Sequence, residues 1–193
     1  LFDDANRQVE EVCGQLKGIP ELEGGFDAVG LSQGGLFLRA YAERCNDPPM
    51  RRLVTLGTPH QGVARPPGCS EDQDDLRCRA LERIVEAAAY SRLAGRVIPA
   101  QYYKNPADLQ RYHRYNRFLQ DINNEWLEEG KRDAAYKERL GSLDRFVMYR
   151  FADDDIIIPS ESTWFGWYED EKAVPLRELP MFTEDWIGLA RLE

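Results

Sequence analysis

Ser32 stands in the run Gly30-Leu31-Ser32-Gln33-Gly34. A serine hydroxyl is a weak nucleophile at neutral pH. To do chemistry it needs exposure, a neighbouring base and hydrogen-bond donors for the negative charge it creates. The G-x-S-x-G spacing supplies the exposure, since it marks a sharp strand-to-helix turn with a strained serine at its tip and Oγ pointing out of the sheet. Glycines two residues to either side are expected where the two arms of that turn pass too close for side chains. The first amides of the following helix would face a reacting carbonyl and favour negative charge there. Acyl transfer through a serine ester is the chemistry implied. A random chain of this length carries the pattern with a probability of roughly 0.06, so its setting decides its weight. Here an apolar run (Phe26, Ala28, Val29, Leu31) precedes it and a helical pattern opens at Gln33.

That setting is the nucleophile elbow of an α/β-hydrolase, in which the serine is followed in the chain by an acid and then by a histidine. The acid belongs on the loop after a later strand. Asp153-Asp154-Asp155 directly follows the apolar run Arg145–Phe151, and its place at the carboxyl end of a strand favours a catalytic over a merely solvated role. No histidine follows the trio. His113 reads as a residue of a solvated helix face, and His60, in Gly57-Thr58-Pro59-His60-Gln61-Gly62, as a structural hydrogen-bonding group beside the site. The catalytic histidine is therefore expected beyond Glu193.

The elements that must position these residues are legible in outline. Val9, Val12, Cys13 and Leu16 space a helix over 4–17, and the elbow strand covers about 26–31. A helix near 33–44 buries Leu36, Phe37, Ala40 and Tyr41 and stops at Asn46-Asp47-Pro48-Pro49. Leu53-Val54-Thr55-Leu56 reads as a parallel strand covered on both faces. Between it and the third strand lie almost ninety residues with helical spacing near 75–90 (Leu81, Ile84, Val85, Ala88), 107–126 (Leu109, Tyr112, Leu119, Ile122, Trp126) and 133–140. A connection that long is an insertion with structure of its own. The fold class expected is thus α/β: a partial α/β-hydrolase fold with a helical insertion, truncated at both ends. Residues 1–59 form hydrolase core with the elbow, 60–143 the insertion acting as cap and acyl-binding region, and 144–193 core with the triad acid.

Composition narrows the class. The 193 residues are 42% hydrophobic and 31% charged with a net charge of −9, enough for one sizeable core. The acidic balance offers no basic stripe for nucleic acid and no polybasic patch for anionic membranes. No apolar run approaches a spanning helix. The chain starts at Leu1, so a signal peptide is not in view. Cys13, Cys45, Cys69 and Cys78 include no C-x-x-C pair, and with two histidines a zinc site is not expected. They permit three pairings. Two disulfides, formed in an oxidising secretory compartment, are the favoured reading over four buried thiols. Cys69 and Cys78 bracket a polar loop that a short covalent tie would suit.

Beyond the elbow, the sequence carries Gly30–Gly35 with Phe37-Leu38-Arg39-Ala40, Arg44-Cys45 with Pro48-Pro49-Met50, His60-Gln61-Gly62-Val63, Ala88-Ala89-Tyr90-Ser91, Asp121-Ile122-Asn123, Phe146-Val147-Met148, Trp164-Phe165-Gly166 and Pro175-Leu176. In these runs it resembles the lysosomal palmitoyl-protein thioesterases. The resemblance implies Ser32 as nucleophile, Asp154 as triad acid, the Gln33 backbone N–H as one oxyanion donor, and disulfides Cys13–Cys45 and Cys69–Cys78. It further implies S-acylated proteins or peptides as partners, palmitoyl thioesters as substrates, no cofactor and no metal, and a lysosomal or secretory location (a vacuole in a fungus-like host). The second oxyanion donor of the family comes from an early loop absent here. The sequence also departs from its relatives in having no Asn-x-Ser/Thr sequon.

The expected reaction transfers the acyl group from cysteine to Ser32 and then to water. A thiolate leaves readily because its conjugate acid has a pKa near 8.5. Each buried methylene adds about 0.8 kcal/mol, so an extended apolar groove would select long chains. Tyr103, Ile156 and Ile157 are the groove candidates, with ordinary core packing as the alternative. A carboxylester or neutral-lipid hydrolase, or an inactive acyl-binding fragment, are the rival readings. Without the histidine, residues 1–193 alone are expected to show no turnover.

Overall fold

The computed structural model describes residues 4–69, 76–91, 97–128, 130–170 and 172–192. Helix α1 (Ala5–Lys17) is capped by the Asp4 carboxylate, which accepts from the Asn6 N–H. Strand β1 (Phe26–Leu31) then leads through Ser32 into α2 (Gln33–Arg44), and β2 (Met50–Leu56) returns beside it. The insertion contributes α3 (Leu76–Ala89), α4 (Leu109–Tyr115), α5 (Leu119–Ile122) and α6 (Ala134–Leu140) before β3 (Arg145–Tyr149). A short antiparallel hairpin, β4 (Trp167–Glu169) and β5 (Lys172–Val174), and the turn of helix α7 (Pro180–Thr183) follow.

The sheet runs β1-β2-β3 with all three strands parallel. Leu31, Leu56 and Tyr149 lie side by side in register, so the residues that follow them leave the sheet at one carboxyl edge. This is the partial α/β architecture that the elbow requires. Coverage of β2 on both faces is partial: Leu53 and Thr55 are buried, and Val54 and Leu56 on the other face are half-buried. Ala28 and Leu53 are buried with Tyr41 and Ala42 of α2, whereas Val29, Leu31 and Tyr149 on the opposite face are 67, 63 and 55% exposed.

Two cores flank α2. One joins Leu36 and Ala40 to Ala5 and Val9 of α1 and to Tyr90, Tyr103, Tyr112, Phe118 and Ile122 of the insertion. The other joins Tyr41 and Ala42 to Leu53, Leu140, Phe165 and Met181 beneath the sheet. Two sequence expectations need correction here. The stretch 107–126 is not one helix: it breaks at Asn116, whose side-chain oxygen accepts from the Phe118 and Gln120 N–H groups and starts a new turn. In α3 the buried residues are Cys78 and Ala89, while Leu81 and Ile84 are 36 and 65% exposed.

Disulfides join Cys13 to Cys45 and Cys69 to Cys78. The first ties α1 to the end of α2. The polar stretch bracketed by the second lies outside the described residues. No helix among the described residues is long and apolar enough to cross a membrane.

Candidate active site

Ser32 has φ 51° and ψ −126°, a conformation that costs an L-residue about 1–3 kcal/mol and persists only where its surroundings enforce it. Three hydrogen bonds do so. The Ser32 N–H donates to the Leu56 carbonyl at 2.8 Å, which extends the β1–β2 ladder by one residue. The Ser32 carbonyl accepts from the Gly35 N–H at 3.0 Å and from the Thr58 hydroxyl at 2.9 Å. A serine at a helix N-terminus normally caps it with its hydroxyl. Here Ser32 makes no such bond, so Oγ is left for chemistry. Gln33 is the first residue of α2, where backbone N–H groups lack intrahelical acceptors and the helix dipole is positive. Its side-chain Oε1 accepts from the Tyr102 hydroxyl at 3.5 Å, which brings the insertion against the elbow.

The glycine expectation is half right. A Cβ on Gly30 would lie 2.6 Å from the Gly35 Cα and N, and one on Gly35 would overlap the Thr58 side chain. Gly34, the motif's second glycine, has nothing within 4 Å of such an atom. The close approach is between Gly30 and Gly35.

The Asp153–Asp155 trio is not equivalent in space. Asp153 and Asp155 are exposed, whereas Asp154 is half-buried and its Oδ1 accepts from the Ile156 and Ile157 N–H groups at 3.0 and 2.9 Å. Its Oδ2 reaches over the end of the middle strand: a Cβ on Gly57, the residue after β2, would lie 3.8 Å from it. Gly57 and Ser32 leave adjacent strands at the same edge, so the acid candidate and the serine stand on the same edge of the sheet.

The groove candidates separate. Ile156 is 50% exposed beside Asp154, Ile157 is buried, and Tyr103 is buried but lines a cavity of about 500 Å³ with Arg65, Glu82, Glu86 and Asp170. Segment 63–64 lies between them: Val63 pairs with the backbone of Tyr102 and Lys104, and the Ala64 N–H donates to the Ile158 carbonyl. Apolar side chains exposed at the sheet's carboxyl edge, Leu31 and Phe151 with Ile156, are the ones nearest the elbow and acid in the chain.

His60 is fully buried. Its Nε2 contacts Thr55 Oγ1 at 3.0 Å, its ring stacks on Phe165 at 4.4 Å, and burial together with the Arg39 guanidinium holds its pKa well below the usual imidazole value. It serves the core. His113 is not on a solvated face: it is half-buried, contacts the Gln120 side-chain amide and lines a cavity of about 480 Å³ with Trp126 and Trp186. Among the described residues no three His, Cys, Asp or Glu side chains converge as a metal site would require.

Sequence reasoning missed two features. One is Thr58, whose signal was a hydroxyl placed two residues past the strand that neighbours the elbow. The other is a buried polar chain that fixes loop 57–62 to the insertion. Arg39 donates to the His60 and Ile122 carbonyls and to Asn123 Oδ1. Asn123 and Lys104 both donate to Gln61 Oε1, and Lys104 Nζ lies 2.7 Å from Glu125.

The family model described as palmitoyl protein thioesterase matches residues 1–193. The chain belongs to the palmitoyl-protein thioesterase family. It is 38% identical to palmitoyl-protein thioesterase 1 of Caenorhabditis elegans and 30% identical to palmitoyl-protein thioesterase 3 of Dictyostelium discoideum, in each case over its whole length. It is 28% identical, again throughout, to a Drosophila melanogaster protein named lysosomal thioesterase PPT2 homolog. The chain spans 64 to 65% of the length of these relatives. Membership in the thioesterase family and the α/β fold expected from the elbow therefore agree.

Proposed function

We propose that this chain carries the nucleophile and the acid of a serine thioesterase that removes long-chain acyl groups from S-acylated cysteines of proteins. The observation that carries the reading is the strained Ser32, uncapped at the N-terminus of α2 and on the same sheet edge as Asp154, in a chain of this family. In this mechanism Ser32 Oγ attacks the thioester carbonyl and the oxyanion rests on the Gln33 N–H. Collapse expels the cysteine thiolate, leaving a Ser32 ester that water then cleaves. Asp154 orients and stabilises an imidazole that accepts the serine proton. That imidazole is neither His60, which is locked in the core, nor His113.

Residues 60–143 act as the cap in this reading, and the apolar surface at Leu31, Phe151 and Ile156 is where an acyl chain would first settle. Disulfides and relatives named lysosomal thioesterases support a secretory or lysosomal setting. The test is turnover of a palmitoylated-cysteine peptide by the intact protein. Ser32→Ala is expected to lower kcat by at least about 10³-fold with the fold preserved. The matched palmitoyl oxyester should react more slowly, and equal turnover of a triglyceride would favour a neutral-lipid hydrolase instead.

A further inference from the structure

Of the three hydrogen bonds that enforce the Ser32 conformation, two are backbone to backbone and one comes from a side chain, Thr58 Oγ1 to the Ser32 carbonyl at 2.9 Å. Thr58 is fully buried, so its hydroxyl is shielded from water on the donor side. The room for it is made by Gly35, where any Cβ would displace the Thr58 side chain. The carbonyl that Thr58 holds belongs to the same peptide unit as the Gln33 N–H. A peptide unit is planar, with its C=O and N–H pointing in opposite directions. Gripping the oxygen therefore fixes where the N–H points.

We propose that Thr58 is a positioning residue for the reaction: by holding the Ser32 carbonyl it aims the Gln33 N–H at the oxyanion and keeps Ser32 in its strained turn. The proposal rests on the reading of Ser32 as nucleophile. The oxyanion forms only as the carbonyl is attacked, so loss of aim falls on kcat and leaves substrate binding nearly unchanged. Thr58 touches no reacting atom. Its effect passes entirely through the 32–33 peptide.

The experiment compares Thr58→Val, which keeps shape and deletes the donor, with Thr58→Ser, which keeps the donor. Both are made in the intact protein and assayed on a palmitoylated-cysteine peptide. Thr58→Val is expected to lose roughly 10- to 100-fold in kcat with KM within about threefold of the parent, and Thr58→Ser to return to within about threefold in both. Thr58→Ala against Thr58→Ser, two side chains that differ only by the hydroxyl oxygen, gives the same comparison should the valine variant fail to fold. The proposal is overturned if the variants lacking the hydroxyl, once folded, keep the parental kcat, or if their loss appears in KM. It is also overturned if serine does not rescue. A Ser32→Ala protein with parental turnover would instead remove the nucleophile reading beneath it, an outcome separable from any result at Thr58.

Discussion

Gly30 and Gly35 face each other across the elbow so closely that a Cβ on Gly30 would sit 2.6 Å from the Gly35 Cα. Neither position has slack, because Gly35 also backs onto the Thr58 side chain. Gly34, between Gln33 and Gly35, faces open space. Gly30→Ala and Gly35→Ala are therefore expected to cost about 3 kcal/mol, at the upper end for overpacking. Gly34→Ala should be neutral, or stabilising by a few tenths up to about 1 kcal/mol through helix propensity. Thermal melts of the three variants check this, and a Gly34→Ala protein as unstable as the other two would show that the open space is filled in the intact protein.

The acidic trio offers a test at single-residue resolution. Asp154 is half-buried, held by two backbone N–H groups, with its second oxygen turned toward the end of β2. Its two neighbours face solvent. Asp154→Asn is expected to reduce kcat by roughly 10³- to 10⁴-fold, the scale for a triad acid that can no longer hold the imidazole in its working tautomer. Asp153→Asn and Asp155→Asn should remain within about threefold of the parent. A reversed order, with Asp153→Asn the crippled variant, would move the acid by one residue.

The elbow was legible because its demands are local: the spacing of Gly30, Ser32 and a following helix encodes a backbone conformation directly. The strand before it likewise places the Asp153–Asp155 trio at the sheet's carboxyl edge, while only the family resemblance singles out Asp154 within it. What escaped depends on long-range contacts. Arg39 and Asn123 lie 84 positions apart, and Lys104 or Glu125 in a sequence reads as a solvated charge, with nothing nearby to say it is buried. The stripe on α3 misled for the opposite reason, since Leu81 and Ile84 have helical spacing yet are 36 and 65% exposed among the described residues. Gly34 shows a motif position satisfied by pattern while the steric need falls one residue later.

The buried chain from Arg39 to Glu125 should act as a stability element, with Lys104 and Glu125 as its most testable pair. Both are nearly inaccessible, and Glu125 also accepts from the Tyr112 hydroxyl at 2.6 Å. Removing one partner leaves the other charge buried, at a cost of about 3–5 kcal/mol. For a chain of this size each kcal/mol shifts Tm by about 2–4 °C. Lys104→Met is thus expected to lower Tm by at least about 6 °C, and the double change Lys104→Met with Glu125→Leu to regain more than half of that. If the double variant melts lower than either single one, the pair contributes net stability rather than mutual charge compensation.

Glu43 and His60 titrate in opposite senses, and together they set a pH window. Burial, opposed by Arg39 and Arg44 and aided by Asp121, pushes the Glu43 carboxyl up to about 8. Folding then favours its protonated form, so this contribution is full below the unfolded value of 4.5 and is lost as pH rises toward 8. Burial and Arg39 push His60 well below its usual 6.5. Its neutral form is favoured on folding, and that contribution is full above 6.5 and is lost as pH falls. Between pH 8 and 6.5 the Glu43 contribution should rise as the solution is acidified, by up to about 1.4 kcal/mol per pH unit. Below 6.5 the histidine slope opposes that of Glu43, and the rise in Tm on acidification should weaken. His60 and His113, whose pKa burial also lowers, both lose their contribution as pH falls below 6.5, and they carry the acidic fall in Tm. Glu43→Gln, which imitates the protonated acid, is expected to flatten the branch above pH 6.5 and leave the acidic fall in place. A parent protein whose Tm climbs from pH 6.5 to 8 would show that Arg39 holds Glu43 as a carboxylate despite its burial.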